Sequence, residues 1–484
     1  MLFNSLDFAI FLPLVFICYW FLFRWNLKAQ NTLILLASYV FYGWWDWRFL
    51  SLIAFSTLID YLIGIGLGKE ENTYKRKLLL TISICINLGF LGFFKYYNFF
   101  LDNFIDAFQL LGVPFKASSL KIILPVGISF YTFQTMSYTI DVYRKKLIPT
   151  HDWIAFGAYV SFFPQLVAGP IERATNLLPQ FSEKRVFDQN KAVDGLRQIL
   201  WGLFKKMVIA DNCAEYVNII FNQSESLSGS MLALGAVLFA FQIYGDFSGY
   251  SDIAIGTSRL FGFQLMQNFA FPYFSRDVAE FWRRWHISLS TWFRDYLYIP
   301  LGGSRSGLAL SIRNTFIIFL VSGFWHGANW TFIIWGALNA VYFLPSLLLG
   351  KNRNNLDVVA QESRWPNLRE LISMLFTFGL TSFAWIFFRA ESMSHAWGYV
   401  QNMMQPSLFS IPDFHILEGV ISLMVLIVIF ILIEWNGRRR QYAIMDLAAS
   451  RSRMFRWCMY LLIILAIDIF GNTSEEVEFI YFQF

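Results

Sequence analysis

The sequence predicts an all-α, polytopic membrane protein, and three observations lead to this fold class. Of its 484 residues, 56% are hydrophobic and only 15% are charged, whereas about a quarter of the residues in a soluble domain are charged. The 54 Phe, 22 Tyr and 18 Trp exceed what a water-soluble core needs. The apolar runs are continuous, without the alternating segments of about ten residues that mark a transmembrane β-barrel, so we expect helices throughout.

Several apolar segments are long enough to cross a hydrocarbon core of about 30 Å. They are Phe8–Phe23, Asn31–Trp47, Phe49–Gly68, Leu78–Phe100, Ile122–Tyr143, Ile416–Trp435 and Met454–Phe470. Basic clusters at Lys75–Lys77 and Arg438–Arg440 flank some of these segments, and the positive-inside rule makes those loops cytoplasmic. We therefore expect both termini outside, including the acidic tail with Glu475, Glu476 and Glu478, and an even number of crossings.

The middle of the chain fits a series of plain spans poorly. Pro164, Gly169 and Pro170 interrupt the stretch FFPQLVAGPIER, which predicts a broken or re-entrant segment that is packed within the protein or lines a cavity. A polar loop is expected over Glu172–Asp194. No internal repeat is convincing, which disfavours a transporter built from inverted repeats.

Charge and cysteine content exclude other classes of protein. The net charge of +5 lies in short loops, so it indicates topology and no binding of nucleic acid. The cysteines lack the spacing of a disulfide framework or a metal site, and no bound metal or cofactor is expected; they are Cys18, Cys85, Cys213 and Cys458. The N-terminus lacks the basic region of a cleavable signal peptide.

The stretch SGFWHGANWTFIIWG, residues 322–336, places an imidazole within an apolar and aromatic run. An ionisable group at that depth is costly, so His326 is a candidate functional residue. If the stretch is helical, Ser322, His326 and Asn329 share one face, and Trp325 lies next to the site. Gly323 and Gly327 would let another helix approach closely. The alternative is a histidine that only hydrogen-bonds between helices.

Three other regions carry polar groups within apolar sequence. Gln134, Tyr138 and Asp141 form a stripe on one helix face. Asp246 and Asp252, with Tyr250 nearby, favour an orienting polar network over direct catalysis. Ser275–Tyr298 predicts one amphipathic helix near the cytoplasmic interface, capped by Ser275 and with Asp277 in its first turn. It carries Trp282 on its aromatic face, Arg283, Arg284 and Arg294 on the other, and His286.

The motifs WRRWHISLSTWFRDYLYIPLGG and SGFWHGANWTFIIWG resemble those of the membrane-bound O-acyltransferases (MBOATs). FPQLVAGPIER, IYGDFSGYSDIAIG and the closing EFIYFQF extend the resemblance over most of the chain, closest to the branch that contains the bacterial alginate O-acetyltransferase membrane subunit. The resemblance implies one membrane domain over 1–484, with N-terminal spans in 1–143, core motifs in 151–350 and C-terminal spans in 365–484. It also implies a helical bundle around a central tunnel, with His326 and His286 at the family's two catalytic positions.

The resemblance further implies acetyl-CoA as donor, a polysaccharide acceptor, an extracytoplasmic acetyltransferase partner protein and the bacterial inner membrane. The polymer stays open among alginate-like exopolysaccharide, cellulose and peptidoglycan. D-alanyl transfer to teichoic acid and an acyl or proton-coupled transporter are the alternatives. Mechanistically, we expect His326 to act as general base, with His286 or Asn329 at the acyl carbonyl. An acyl-imidazole on His326 stays open. Arg283 and Arg284 would meet the donor's phosphates.

Overall fold

The computed structural model describes residues 1–23, 25–112, 119–305, 307–414, 419–448, 452–471 and 479–480, and its regular secondary structure is helical. No β-strand occurs in these ranges. The α-helices in chain order are α1 Leu6–Ile17, α2 Leu27–Asp46, α3 Leu50–Lys69, α4 Thr73–Leu91, α5 Tyr97–Leu110, α6 Ile128–Tyr143, α7 Trp153–Val160, α8 Ala174–Leu177, α9 Gln189–Phe204, α10 Asp211–Asn222, α11 Gly229–Leu260, α12 Val278–Arg284, α13 Ile287–Phe293, α14 Leu308–His326, α15 Trp330–Leu348, α16 Leu368–Arg389, α17 Met393–Met403, α18 Val420–Gly437 and α19 Arg453–Phe470.

Within the described residues, seven helical segments are long and apolar enough to cross a membrane, and α1 with its π-helical extension adds a shorter apolar helix. They are Leu27–Lys69, Thr73–Leu110, Gly229–Leu260, Leu308–His326, Trp330–Leu348, Leu368–Arg389 and Val420–Gly437. These segments confirm the predicted all-α, multi-pass membrane class. The predicted acidic tail and the start of the span at 416 lie outside the described residues. The even number of crossings and the cytoplasmic loops stay predictions.

The chain forms two compact units. Unit 1 contains Met1–Ala192 and Thr257–Met266, and unit 2 contains Val193–Gly256 and Gln267–Phe484. Both catalytic candidates and every other predicted site residue belong to unit 2. The three-part division proposed from the sequence stays a prediction.

Unit 1 satisfies its intramembrane polar groups by pairing them between helices. The Asp60 carboxylate on α3 accepts hydrogen bonds from Ser83 Oγ at 2.6 Å and Asn87 Nδ2 at 2.9 Å, both on α4. From α6, Thr135 Oγ1 donates to Asn87 Oδ1 and Gln134 Nε2 donates to the Tyr159 carbonyl. The predicted polar stripe on α6 therefore faces protein, as the cost of polar groups in lipid requires.

The interrupted stretch at 161–173 is irregular and almost wholly buried, as predicted. Its backbone finds partners within unit 1, because Ser38 Oγ accepts from the Phe163 N–H at 3.0 Å. At Gly169, a β-carbon would lie 2.5 Å from Gln165 Cα, so only glycine fits this turn. The stretch thus occupies the interior because its peptide groups are satisfied there.

The expected polar loop over Glu172–Asp194 is wrong in part. It contains α8 and the first turns of α9, and Glu172 is fully buried. The Glu172 carboxylate accepts from Asn176 Nδ2 at 2.7 Å and from the Met266 N–H. Burial raises the pKa of Glu172 to about 7. The sequence suggested a loop because charge and proline are frequent there, whereas tertiary contacts order the backbone.

In unit 2, α14 and α15 pack backbone against backbone. A β-carbon on Gly323 would overlap the Phe332 carbonyl oxygen and would lie 3.4 Å from Gly336 Cα. A β-carbon on Gly336 would in turn overlap the Phe319 carbonyl. The predicted close approach at Gly323 is therefore confirmed. Small residues at such a contact bring two membrane helices together.

Replacing Gly323 with alanine should destabilise the protein, since the new methyl group overlaps backbone atoms that cannot rotate away. Overpacking of this kind costs about 1–3 kcal/mol. Thermal unfolding of the detergent-purified variant, followed by its melting temperature, measures the loss. Gly379→Ala on α16 is the matched control, because nothing lies within 4 Å of its β-carbon position. An equal melting temperature for G323A and G379A would contradict the packing explanation.

Candidate active site

His326 is the last residue of α14, and Gly327 follows it in an extended conformation. The imidazole is 4% exposed and lies among aromatic rings. Ring centroids lie 4.9 Å away at Trp325, 5.2 Å at Trp335 and 5.3 Å at Phe388. The candidate base is thus enclosed by apolar surface at the end of a membrane-spanning helix.

Of the residues expected to share a face with His326, only Ser322 does so. Ser322 is buried one turn earlier on α14. Asn329 lies beyond the end of α14 and is the N-cap of α15, with Oδ1 accepting from the Thr331 N–H at 3.1 Å. Its Nδ2 donates to the Glu391 carbonyl at 2.8 Å. The single-face expectation for Asn329 is wrong because the helix stops at His326.

His286 lies at a break between two short helices, α12 and α13, where a single amphipathic helix was expected. Its φ of 43° and ψ of 54° are left-handed, a conformation uncommon for a residue with a β-carbon. The expected cap at Ser275 is also wrong, because Asp277 is the N-cap and accepts from the Glu280 N–H at 2.7 Å. The break turns the His286 side chain into a fully buried position.

Asn268 determines the tautomer of His286. The Asn268 Oδ1 lies 3.1 Å from His286 Nδ1, 2.9 Å from Ser288 Oγ and 3.3 Å from the Ser288 backbone N–H. A backbone N–H can only donate a hydrogen bond, so the Asn268 side-chain atom that faces the Ser288 N–H must be the amide oxygen. Asn268 Nδ2 donates in the other direction, to Ser251 Oγ at 3.0 Å. Nδ1 of His286 therefore carries the proton, and Nε2 carries the lone pair.

Burial lowers the pKa of His286 to about 3, because the surrounding protein disfavours the cation. The ring is consequently neutral across the physiological range. In this tautomer Nε2 accepts a hydrogen bond and does not donate one. The expected donation from His286 to an acyl carbonyl would require a protonated ring, which burial opposes.

Trp325 connects the two histidines. Its ring centroid lies 4.9 Å from that of His326 and 6.1 Å from that of His286. Phe247 packs edge-on against His286 at 4.7 Å. The two predicted catalytic residues, from different helices, therefore contact the same indole ring.

A cavity of about 230 Å³ reaches the same region. Its lining includes Ser322, one turn from His326, and Trp282, whose Nε1 donates to Asn339 Oδ1 at 3.2 Å. Arg294 and Arg353 also line it. Small-molecule pockets typically enclose about 300–1,000 Å³, so this cavity suits the narrow part of a ligand with an anionic group at the arginines.

Residues 11–388 match the membrane-bound O-acyltransferase family, a range that includes both histidines. The chain belongs to the MBOAT family. A probable alginate O-acetylase of Pseudomonas aeruginosa is 41% identical over 378 residues, covering 78% of this chain and 70% of that protein. A probable alginate O-acetylase of Pseudomonas putida is 36% identical over 480 residues, 94% and 95% of the two chains. A peptidoglycan O-acetyltransferase of Helicobacter pylori is 36% identical over 439 residues, 84% and 80% of the two chains.

The family match confirms the predicted enzyme class, so this MBOAT protein is a membrane O-acyltransferase. Its unit 2 combines an aromatic enclosure around His326, a neutral buried His286 and a cavity that reaches Ser322. Acyl transfer to a hydroxyl requires a base near the reacting atoms and exclusion of competing water. The surroundings of His326 and His286 meet both requirements.

Arg283 and Arg284 contact protein groups in this MBOAT structure. Arg283 Nη1 and Nη2 each donate at 2.7 Å, to the carbonyls of Asn352 and Asn355. Arg284 pairs with Glu280 at 2.8 Å and donates to the Asp357 carbonyl. Arg283 thereby orders the loop that carries Arg353 to the cavity. Their predicted contact with donor phosphates stays a prediction.

Asp246 and Asp252 form buried ion pairs. Asp252 pairs with Lys205 at 2.6 Å, and Asp246 pairs with Lys206 at 2.7 Å. Asp246 also accepts from the Ile480 N–H, and Tyr250 packs on Phe479 at a centroid distance of 5.0 Å. These predicted site residues therefore anchor the described part of the C-terminus, as an orienting network would.

Sequence reasoning missed several residues of the site. Lys205 and Lys206 had a signal, since adjacent lysines in the apolar run LFKKMVIA require carboxylate partners. Asn268 had none, because an isolated asparagine in an irregular stretch shows nothing about a histidine 18 positions later. Trp385, which stacks on Trp335, and Phe388 are indistinguishable in sequence from other aromatic residues of this chain.

Replacing Asn268 with aspartate should give the acyltransferase a new acid limb in its pH profile. A carboxylate against Nδ1 stabilises the His286 cation, so the pKa of His286 rises and Nε2 loses its lone pair as pH falls. We expect kcat at pH 6 to fall about ten-fold relative to pH 8, within the range for one proton-transfer group. Ser251→Ala is the control, because it removes only the contact to Asn268 Nδ2 and should keep the wild-type profile. Identical profiles for wild type and N268D would refute the tautomer assignment.

Proposed function

We propose that this protein transfers an acetyl group from acetyl-CoA, bound from the cytoplasmic side, to a hydroxyl group of an extracytoplasmic polysaccharide. The observation that carries the proposal is the cavity that extends from Ser322, one turn from His326, to Arg294 and Arg353. This arrangement suits a thioester at the histidine and phosphates at the arginines. The names of the alginate and peptidoglycan relatives support a polysaccharide acceptor.

The donor side is assigned to the cavity. Its volume of about 230 Å³ accommodates a slender acyl-bearing arm, while the nucleotide part stays at the arginine end. Arg294 is exposed, with 59% of its side-chain surface accessible, so it can meet a ligand from solution. Arg353, on the loop held by Arg283, is the second phosphate contact.

The chemistry is assigned to His326. As general base it takes the proton of the acceptor hydroxyl while the hydroxyl oxygen attacks the thioester carbonyl. The resulting oxyanion collapses, the carbon–sulfur bond breaks, and the proton returns to the departing CoA thiolate. A route through acetyl-imidazole on His326 gives the same products and stays open.

His286 is assigned to the acceptor side. Nε2 carries the lone pair and can accept a hydrogen bond from the incoming hydroxyl, which orients its oxygen for attack. Asn329 Nδ2 already donates to the Glu391 carbonyl, so its role is to start α15 beside the site. This assignment revises the expectation that one of the two binds the acyl carbonyl.

The acceptor polymer lies outside the cytoplasm and is reached with the help of a partner protein. We place the protein in the inner membrane of a bacterium, with a separate extracytoplasmic acetyltransferase as partner. The site is enclosed by aromatic residues that suit a small hydroxyl-bearing group better than a long chain. The partner would then pass the acetyl group on to the polymer.

His326→Ala should abolish acetyl transfer while leaving donor binding intact, because the base acts at the reacting carbon. Loss of a general base lowers the rate by about 10²–10⁴-fold. Purified protein in vesicles receives radiolabelled acetyl-CoA with a small hydroxyl acceptor, and label on the acceptor is counted. CoA binding is measured separately by calorimetry. His395→Ala, on α17 and hydrogen-bonded to the Phe221 carbonyl, is the matched control and should keep activity.

Three results would overturn this assignment. Normal label transfer by H326A would remove the histidine from the chemistry. Passage of intact acetyl-CoA into the vesicle lumen, with no labelled acceptor, would make the protein a transporter. Loss of CoA binding in H326A would move the residue to the donor site.

Ile318→Trp should block the cavity, since Ile318 lines it on α14 and the larger ring would fill it. We expect the KM for acetyl-CoA to rise about ten-fold, a change worth about 1.4 kcal/mol. Val321→Trp on the same helix is the matched control, because Val321 is 40% exposed and does not line the cavity. Equal KM values for I318W and V321W would show that the donor binds elsewhere.

A further inference from the structure

A second cavity, of about 420 Å³, lies in unit 1 and takes no part in the proposed acyl transfer. One wall consists of aromatic residues from α1, its extension and the following turn: Phe16, Trp20, Phe21 and Trp25. The other wall is the segment Lys184–Phe187. An aromatic wall facing a basic segment is typical of a position where lipid headgroups meet the hydrocarbon region.

Arg185 in this wall is a buried cation with neutral partners. It is 7% exposed, and its guanidinium donates to the Gln180 carbonyl at 3.0 Å and to Asn31 Oδ1 at 2.6 Å. Rings of Tyr19, Phe181 and Phe263 surround it, the last at 4.7 Å from the guanidinium carbon. Within the described residues, Arg185 Nε finds no acceptor and no carboxylate forms an ion pair with the group.

Two other buried arginines of this chain have more hydrogen-bond acceptors than Arg185 has. Arg76 donates to four backbone carbonyls, those of residues 67, 70, 142 and 143. Arg438 likewise donates to four, at residues 359, 360, 363 and 435. Arg185 has three acceptors for five N–H groups, since the Tyr19 hydroxyl adds to Gln180 and Asn31, and all three are neutral. Since arginine stays charged in proteins, its site requires an anion that the described protein does not supply.

We propose that this cavity binds the phosphate of an acidic membrane phospholipid. The phosphate would meet Arg185 and the exposed Lys184, which together outweigh a single negative charge. The acyl chains would lie along Phe21 and Trp25, which are 69% and 77% exposed and present apolar surface outward. A zwitterionic headgroup carries its own cation and matches two positive side chains less well.

Native mass spectrometry of the purified full-length protein tests the site. Dioleoyl phosphatidylglycerol and dioleoyl phosphatidylcholine are titrated separately, and the Kd of the tightest bound lipid is compared. We expect the acidic lipid to bind at least ten-fold more tightly. Arg185→Gln should weaken it by about ten-fold and Lys184→Gln by about three-fold, in line with roughly 1 kcal/mol per basic residue.

Matched controls keep the test independent of folding. Lys146→Gln removes an exposed positive charge that does not line the cavity, and it should leave the Kd unchanged. Because Arg185 also contacts Asn31 and Gln180, Trp25→Ala provides a second, exposed cavity variant, which should weaken the lipid by about three-fold. Melting temperatures of all variants are recorded alongside.

Three outcomes would overturn the proposal. Equal binding of the two lipids would show that charge does not select the occupant. Unchanged binding in both K184Q and W25A would place the lipid elsewhere. Displacement of the acidic lipid by inorganic phosphate at an equal concentration would identify a site for free anions. None of these results depends on acyltransferase activity, so failure here leaves the role of His326 intact.

Discussion

The backbone contact between α14 and α15 at Gly323 and Gly336 is the constraint on which the reaction site depends. Because no side chain separates these helices, Trp335 on α15 can pack against the His326 ring at the end of α14. The chain must reverse immediately after His326, and Gly327 with Asn329 makes that reversal. The result is an imidazole surrounded by aromatic rings and shielded from water.

The second constraint is that buried polar groups in unit 2 must be paired. Lys205 and Lys206 each bind a carboxylate on α11, which fixes this long helix against the segment at 205–210. Burial alone would lower the pKa of Lys206, but attraction to Asp246 and Asp211 outweighs it and raises the pKa. Ser251 on the same helix accepts from Asn268. The orientation of that amide, and so the tautomer of His286, is determined by the contacts of Asn268 Oδ1 with Ser288, and the Ser251 contact adds α11 to the same network.

The sequence was informative where the physics is local or compositional. Continuous apolar runs predicted the helices, and prolines predicted the irregular stretch at 161–173. The two histidines singled out from aromatic motifs are both buried and both contact Trp325. It failed where tertiary contacts override local pattern. The helix expected over Ser275–Tyr298 breaks at His286, where Asn268 from a distant irregular stretch contacts the His286 ring and the Ser288 N–H. Asn329 does not lie on the expected face of α14, because that helix ends at His326 and Gly327 is extended.

The uncharged state of the His286 ring affects the proton transfer proposed for His326. In the proposed mechanism His326 takes a proton from the acceptor hydroxyl and becomes a cation within an apolar enclosure, where a like charge nearby would raise its energy. Both rings contact Trp325, so a charged His286 would act on His326 across a single indole. The Asn268 side chain is a neutral amide, so it does not stabilise a charged His286 ring as a carboxylate would. Burial also keeps the His286 ring uncharged. An uncharged acceptor beside the base therefore lets the proton move to His326 without electrostatic opposition.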